Sequence, residues 1–217
     1  MTSSFSSEDR PEQDEAGARL VVRWQPRRPI VTYTLLALTL LVYVGQFGSD
    51  LLLGFDLPAA LGMKVNVLIA AGQWWRLLTP MLLHGSLMHI AFNMYALHIF
   101  GPGLEQHYGH GRFLLLYLCS GLAGNGASFL FSTANSLGSS TAIFGLFAAQ
   151  AVFVYRNRAL FGAQASAALR QMAVLAGVNF LIGLSPGIDN WGHLGGFVGG
   201  GLLAWWLGPV WRWRREA

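Results

Sequence analysis

Charge is scarce in this chain. Charged residues make up 11% of its 217 positions, against about 25% in a typical soluble domain. That is too little to cover the surface of a water-soluble globule. Cysteine is nearly missing: Cys119 stands alone, which excludes a disulfide scaffold. The ten acids are too few to build a carboxylate metal site, and no His-Glu-x-x-His occurs, so neither a metal nor a cofactor is expected. What is present is apolar: 53% hydrophobic residues, with 27 Gly, 14 Phe and 8 Trp. The net charge of +4 would suggest nucleic acid only if the basic residues formed a face. They lie between apolar runs instead, the pattern of membrane topology, so the expected partner is a lipid bilayer and not nucleic acid.

Three regions follow from composition. Residues 1–28 mix acids and arginines and cannot bury enough apolar area to order themselves. No apolar core follows a short basic start, so this stretch reads as a cytosolic tail and not a signal peptide. Residues 29–208 form a membrane domain, and residues 209–217 a basic cytosolic tail. A membrane-spanning helix needs about 20 apolar residues. Six candidates occur: Pro29–Phe47, His84–Gly103, Arg112–Phe131, Ser140–Tyr155, Leu169–Leu184 and Trp191–Gly208. The fold class is therefore all-α, a polytopic six-helix membrane bundle. Its long first loop, 48–83, carries apolar stretches too short to span (Leu51–Phe55, Val65–Ala71, Trp74–Leu78), which read as interfacial or re-entrant helices. With six spans, every Lys and Arg except Lys64 and Arg76 falls on one side. The positive-inside rule then puts both termini in the cytosol and the first loop outside.

Polar groups inside a span are costly and need a reason. The second span begins with His84 and carries His89 and Asn93; the fourth opens with Gly138-Ser139-Ser140-Thr141; the sixth opens with Trp191-Gly192-His193. All three spans run inward, so these groups share the outer end of the bundle. His89 and Asn93, four apart, share a helix face. His84 joins them only if it precedes the first regular turn. A hydroxyl, imidazoles and an amide at one depth suggest acyl transfer, with Ser140 as nucleophile and His193 as base. In the sixth span Gly195 and Gly199, and Gly196 and Gly200, are four apart, and Gly145, Ala148 and Ala149 give the fourth span a matching thin face. Other polar residues have simpler readings. Asp189 caps the sixth span rather than completing a triad. Glu105 packs, caps or pairs with Arg112, and Asn125 and Asn179 bond between helices. His98, His107 and His110 are interfacial. Trp205, Trp206, Trp211 and Trp213 form an aromatic belt, and Trp75-Arg76 anchors the first loop.

Four pieces over about residues 70–205 resemble the rhomboid intramembrane serine proteases: Trp75-Arg76; His84-Gly-Ser-Leu-Met-His89-Ile-Ala-Phe-Asn93; Gly138-Ser139-Ser140-Thr141; and His193-Leu-Gly-Gly196-Phe-Val-Gly-Gly200. The resemblance implies a Ser140–His193 dyad without an acid. It implies that His84, Asn93 and the Ser140 backbone N–H hold the oxyanion, that Phe144 packs under the imidazole, and that Phe92 flanks a lateral substrate gate. His89, Gly138 and Gly196 would support the site. It further implies transmembrane protein substrates, a bacterial inner (plasma) membrane location, and sufficiency of a monomer, since the whole site comes from one chain. One position departs from the family pattern: Thr141 stands where glycine usually follows the nucleophile. Its β-branch crowds the turn unless Gly195 and Gly196 make room. Thr141 is the one feature favouring the alternative, a non-catalytic rhomboid-like pseudoprotease that binds membrane helices.

Overall fold

The computed structural model describes residues 28–210 apart from residue 186. The expected tails, 1–28 and 209–217, therefore lie almost wholly outside the described residues, as do Trp211 and Trp213. Among the described residues the structure is helical, with one isolated bridge between Lys64 and Ser136.

Six long helices carry the fold: α1 (Ile30–Leu53), α4 (Leu87–Tyr108), α5 (His110–Phe131), α6 (Ser140–Arg156), α8 (Ala163–Ile182) and α9 (Asn190–Leu207). Between α1 and α4 come α2 (Leu57–Gly62), α3 (Asn66–Ala70) and two 3₁₀ turns, Trp74–Leu77 and Thr79–Leu82; α7 (Arg158–Phe161) precedes α8. The expected stretch Leu51–Phe55 is mostly the end of α1 and not a separate segment. The second span begins three residues later than its apolar run and continues to Tyr108. Among the described residues, only α1, α5 and α8 are long and apolar enough to cross a membrane on composition alone. The helices that carry the polar groups, α4, α6 and α9, are not in that set.

Helix α9 packs chiefly on α6 and α5, and glycine sets the distances. A Cβ on Gly196 would land on the Thr141 carbonyl, and one on Gly200 on the Gly145 backbone. Gly195 and Gly199 instead face Ala127 and Ala123 of α5. The two glycine pairs thus serve two different neighbours. Around them Phe113, Leu116, Leu97, Leu104 and Leu146 are fully buried. At the other extreme, Ala165 is the only buried residue of α8.

At the end of the bundle away from Ser140, Glu105 is buried and caps α1. Its carboxylate accepts the N–H of Val31 (2.9 Å), the N–H of Thr32 (2.7 Å) and the Thr32 hydroxyl (2.6 Å), and lies 2.5 Å from His110 Nδ1. His110, not Arg112, is the basic side chain against it. An anion here satisfies orphan amides at the positive end of the α1 dipole. Glu105→Ala leaves those donors buried without acceptors. It is expected to lower stability by about 2–3 kcal/mol in denaturant unfolding of the detergent-solubilised protein.

Two asparagines behave differently from expectation. Asn125 donates to Leu77 O (2.8 Å), tying α5 to the loop, and Asn179 donates to Leu175 O (2.8 Å) one turn back in its own helix. Arg76 is buried, donating to Met63 O, Ala60 O and Gln73 Oε1, while the Trp75 indole donates to Leu61 O. This pair fastens the first loop to itself.

Candidate active site

Ser140 is the first residue of α6. The N-cap residue, Ser139, makes no side-chain capping bond, so the first amides of α6 keep their donors free. The Ser140 hydroxyl does not cap either: its Oγ lies 2.8 Å from His193 Nε2, across 53 residues of chain. His193 sits in the first turn of α9, held there by Asp189. That carboxylate accepts the Gly192 N–H (3.0 Å) and the Ser128 hydroxyl, and the Asp189 carbonyl accepts the His193 N–H. Asp189 is thus committed to capping α9. His193 Nδ1 is buried and makes no hydrogen bond to Asp189 or to any other described residue. Phe144, one turn below Ser140, stacks on the imidazole at 4.2 Å between centroids and 9° between planes.

Gly138 leads into Ser140. Its φ of +132° is open to glycine and strained for any other residue. A Cβ there would also stand 2.7 Å from His89 Nε2 and 3.7 Å from Ser140 Oγ. His89 therefore lies over the turn that presents Ser140. Asn93, one turn on, donates one amide hydrogen to His89 O (2.9 Å) and keeps a second.

His84 is elsewhere. It precedes α4, whose N-cap is Ser86. Its side chain is 2% exposed, and its Nε2 lies 3.4 Å from Ser139 Oγ and 3.5 Å from Ser139 N. His84 does precede the first regular turn of α4, as its joining Asn93 requires, and its Nε2 is directed at Ser139. His89 shares Asn93's face and borders Ser140, while His84 buttresses Ser139 from behind. The two imidazoles touch edge to face at 5.0 Å.

Thr141 finds its room in an unexpected place. Gly124 of α5 and Gly192 of α9 accommodate its side chain: a Cβ on either would meet Thr141 at 2.7 and 3.0 Å. Gly196 receives the Thr141 carbonyl, and Gly195 faces α5. The β-branch is a fitted part of the three-helix junction.

Below the Ser140–His193 contact lies an apolar cleft of about 230 Å³, lined by Ala96 and Phe100 of α4, Phe144 and Phe147 of α6, and Leu175 of α8. Phe92, 66% exposed, lies on the same face of α4 as Ala96 and Phe100, one turn nearer Ser140.

Two other devices escaped sequence reasoning. Lys64 is fully buried and donates to the carbonyls of Ser128 (3.1 Å), Ser132 (3.2 Å) and Ala134 (2.8 Å), joining the first loop to the end of α5. Burial pulls its ammonium below the usual lysine range, and nearby Asp189 partly offsets this. Gln46 of α1 is buried against the His84 backbone. The available signal for each was a lone polar side chain in an apolar stretch. No group of three or more potential metal ligands exists among the described residues.

A family model described as the Rhomboid domain matches residues 71–210. Rhomboid protease GluP of Bacillus subtilis is 39% identical over 208 residues, 91% of this chain and 38% of that protein. A second relative from the same organism, YdcA, is 36% identical over 141 residues, 64% of this chain and 70% of that one. RHOMBOID-like protein 9, chloroplastic, of Arabidopsis thaliana is 35% identical over 156 residues, 71% of this chain and 36% of that one. The chain thus spans little more than a third of the first and third of these relatives.

Proposed function

The chain belongs to the rhomboid family and is a multi-pass helical membrane protein, and from that premise we propose that it is an intramembrane serine endopeptidase that cuts transmembrane segments near their outer end. The observation that carries this reading is the 2.8 Å contact between Ser140 Oγ and His193 Nε2. The Ser140 hydroxyl gives its proton to Nε2 while Oγ attacks the peptide carbonyl. His193 then returns the proton to the leaving amine, and water repeats the cycle on the acyl-enzyme. With a proton on Nδ1, the neutral imidazole presents the Nε2 lone pair to the hydroxyl. The ring is held by Phe144 stacking, a role that a carboxylate fills in a triad.

The oxyanion forms at the start of α6. Its donors are the Ser140 N–H, the free Asn93 amide hydrogen and the His89 imidazole, and the positive end of the α6 dipole adds to them. Gly138 and Gly196 keep these groups close. The substrate enters sideways past Phe92 into the cleft over Phe144. A substrate helix has its backbone bonds satisfied, so cleavage favours segments that unwind near their ends. Both termini lie in the cytosol of a bacterial plasma membrane, on the distribution of Lys and Arg, and one copy of the chain suffices.

The test is reaction of the purified protein with a fluorophosphonate probe, together with cleavage of a single-span reporter in proteoliposomes. Labelling at Ser140 with cleavage supports a protease; a folded protein that does neither is the pseudoprotease. The accommodation of Thr141 by Gly124 and Gly192 weighs against the pseudoprotease. Thr141→Gly removes a buried side chain and adds a helix glycine, costing about 1–2 kcal/mol. It is expected to lower the unfolding midpoint and leave reporter cleavage no faster than wild type. Activity appearing only in Thr141→Gly would reverse that conclusion.

A further inference from the structure

We infer that Gln46 is a positioning residue for the nucleophile, acting from α1 through His84 and Ser139; this rests on the Ser140–His193 reading. Gln46 is almost fully buried. Its Oε1 accepts the His84 N–H at 2.9 Å, and its Nε2 donates to the His84 carbonyl at 3.3 Å. His84 precedes α4, so its backbone groups have no helical partners, and the glutamine amide serves both as a strand would. The amide is oriented by Asp56, whose Oδ2 accepts from the same Nε2 at 2.7 Å. The His84 N–H can only donate, which fixes the amide oxygen toward it and the nitrogen toward Asp56. From His84 the chain of contacts continues through Nε2 to Ser139, the N-cap of α6 and direct neighbour of Ser140. Asp56, Gln46, His84 and Ser139 thus form a continuous polar path from the first loop to the turn that aims the nucleophile. None of these side chains faces the cleft.

The substitution Gln46→Leu keeps the bulk and removes both bonds to His84. It is expected to lower the second-order rate of fluorophosphonate labelling at Ser140, and kcat for a single-span reporter, by about ten- to a hundredfold, with KM unchanged. Asp56→Ser provides a milder probe. Serine still caps α2, where Asp56 Oδ1 now accepts the Ala59 N–H, but is too short to orient Gln46. The same loss is expected at a few-fold size, and this variant carries the test if Gln46→Leu fails to fold. A third measurement separates positioning from bulk stability. In a Ser139→Ala background, Gln46→Leu is expected to cost little further labelling, because the path is already cut. Wild-type labelling rates in whichever of the two variants folds, or an undiminished Gln46→Leu loss in the Ser139→Ala background, would overturn the inference. A wild-type protein that does not label at all would instead sink the protease reading beneath it.

Discussion

Ser140→Ala is expected to slow reporter cleavage by about 10⁴–10⁶-fold, and His193→Ala by a similar factor. The reason is that, in the proposed mechanism, the two side chains act as one unit. Among the described residues, His193 Nε2 is the one nitrogen bonded to Ser140 Oγ. Without it the hydroxyl proton has no base, because His84 is turned to Ser139 and Asp189 is spent on capping. The double variant is therefore expected to be no worse than either single one. Fluorophosphonate labelling should vanish in both single variants, while thermal unfolding of Ser140→Ala in detergent moves little, since one hydrogen bond contributes about 1 kcal/mol. Cleavage by both alanine variants at the wild-type rate would remove Ser140 and His193 from the mechanism.

Gly196→Val is expected to have the largest structural effect. The new side chain meets the Thr141 carbonyl, a backbone atom of α6 that cannot swing aside. The helices must part, and the Ser140–His193 contact parts with them. Overpacking against backbone here is expected to cost about 3 kcal/mol or more, with loss of labelling even in whatever fraction folds. Gly126→Ala on α5 is the control: nothing lies within 4 Å of the added methyl. It is expected to leave labelling unchanged and raise stability by up to about 1 kcal/mol. Equal unfolding midpoints for the two variants would show that the α6–α9 distance is not set by glycine.

The contrast between these sites marks what the chain discloses in one dimension. Ser140, His193, His89 and Asn93 stand out because a polar group in an apolar run is conspicuous, and helical order brings their depths together. Which histidine backs which serine is not visible that way. His84 and His89 differ by where α4 begins, and Ser86 decides that by capping two residues beyond His84. The Gly195/Gly199 and Gly196/Gly200 pairs read alike as strings, yet their facing helices differ because α9 touches α5 and α6 on adjacent sides. Glu105, Lys64 and Gln46 find partners 38 to 74 positions away. Such distances are set by packing, not periodicity. Thr141 looked crowded only because the glycines that receive it, Gly124 and Gly192, lie on other helices.

The Glu105 cap also bears on biogenesis. Thr32 leaves the ribosome 73 residues ahead of the carboxylate that will hold its amide. At synthesis rates of about 5–20 residues per second, that interval is roughly 4 to 15 s. During it the leading helix reaches the bilayer with its amino-terminal donors served by water or lipid headgroups. Docking of that helix onto its neighbours must therefore follow insertion of the next one, a late annealing step in which headgroup chemistry competes with the protein's own acid.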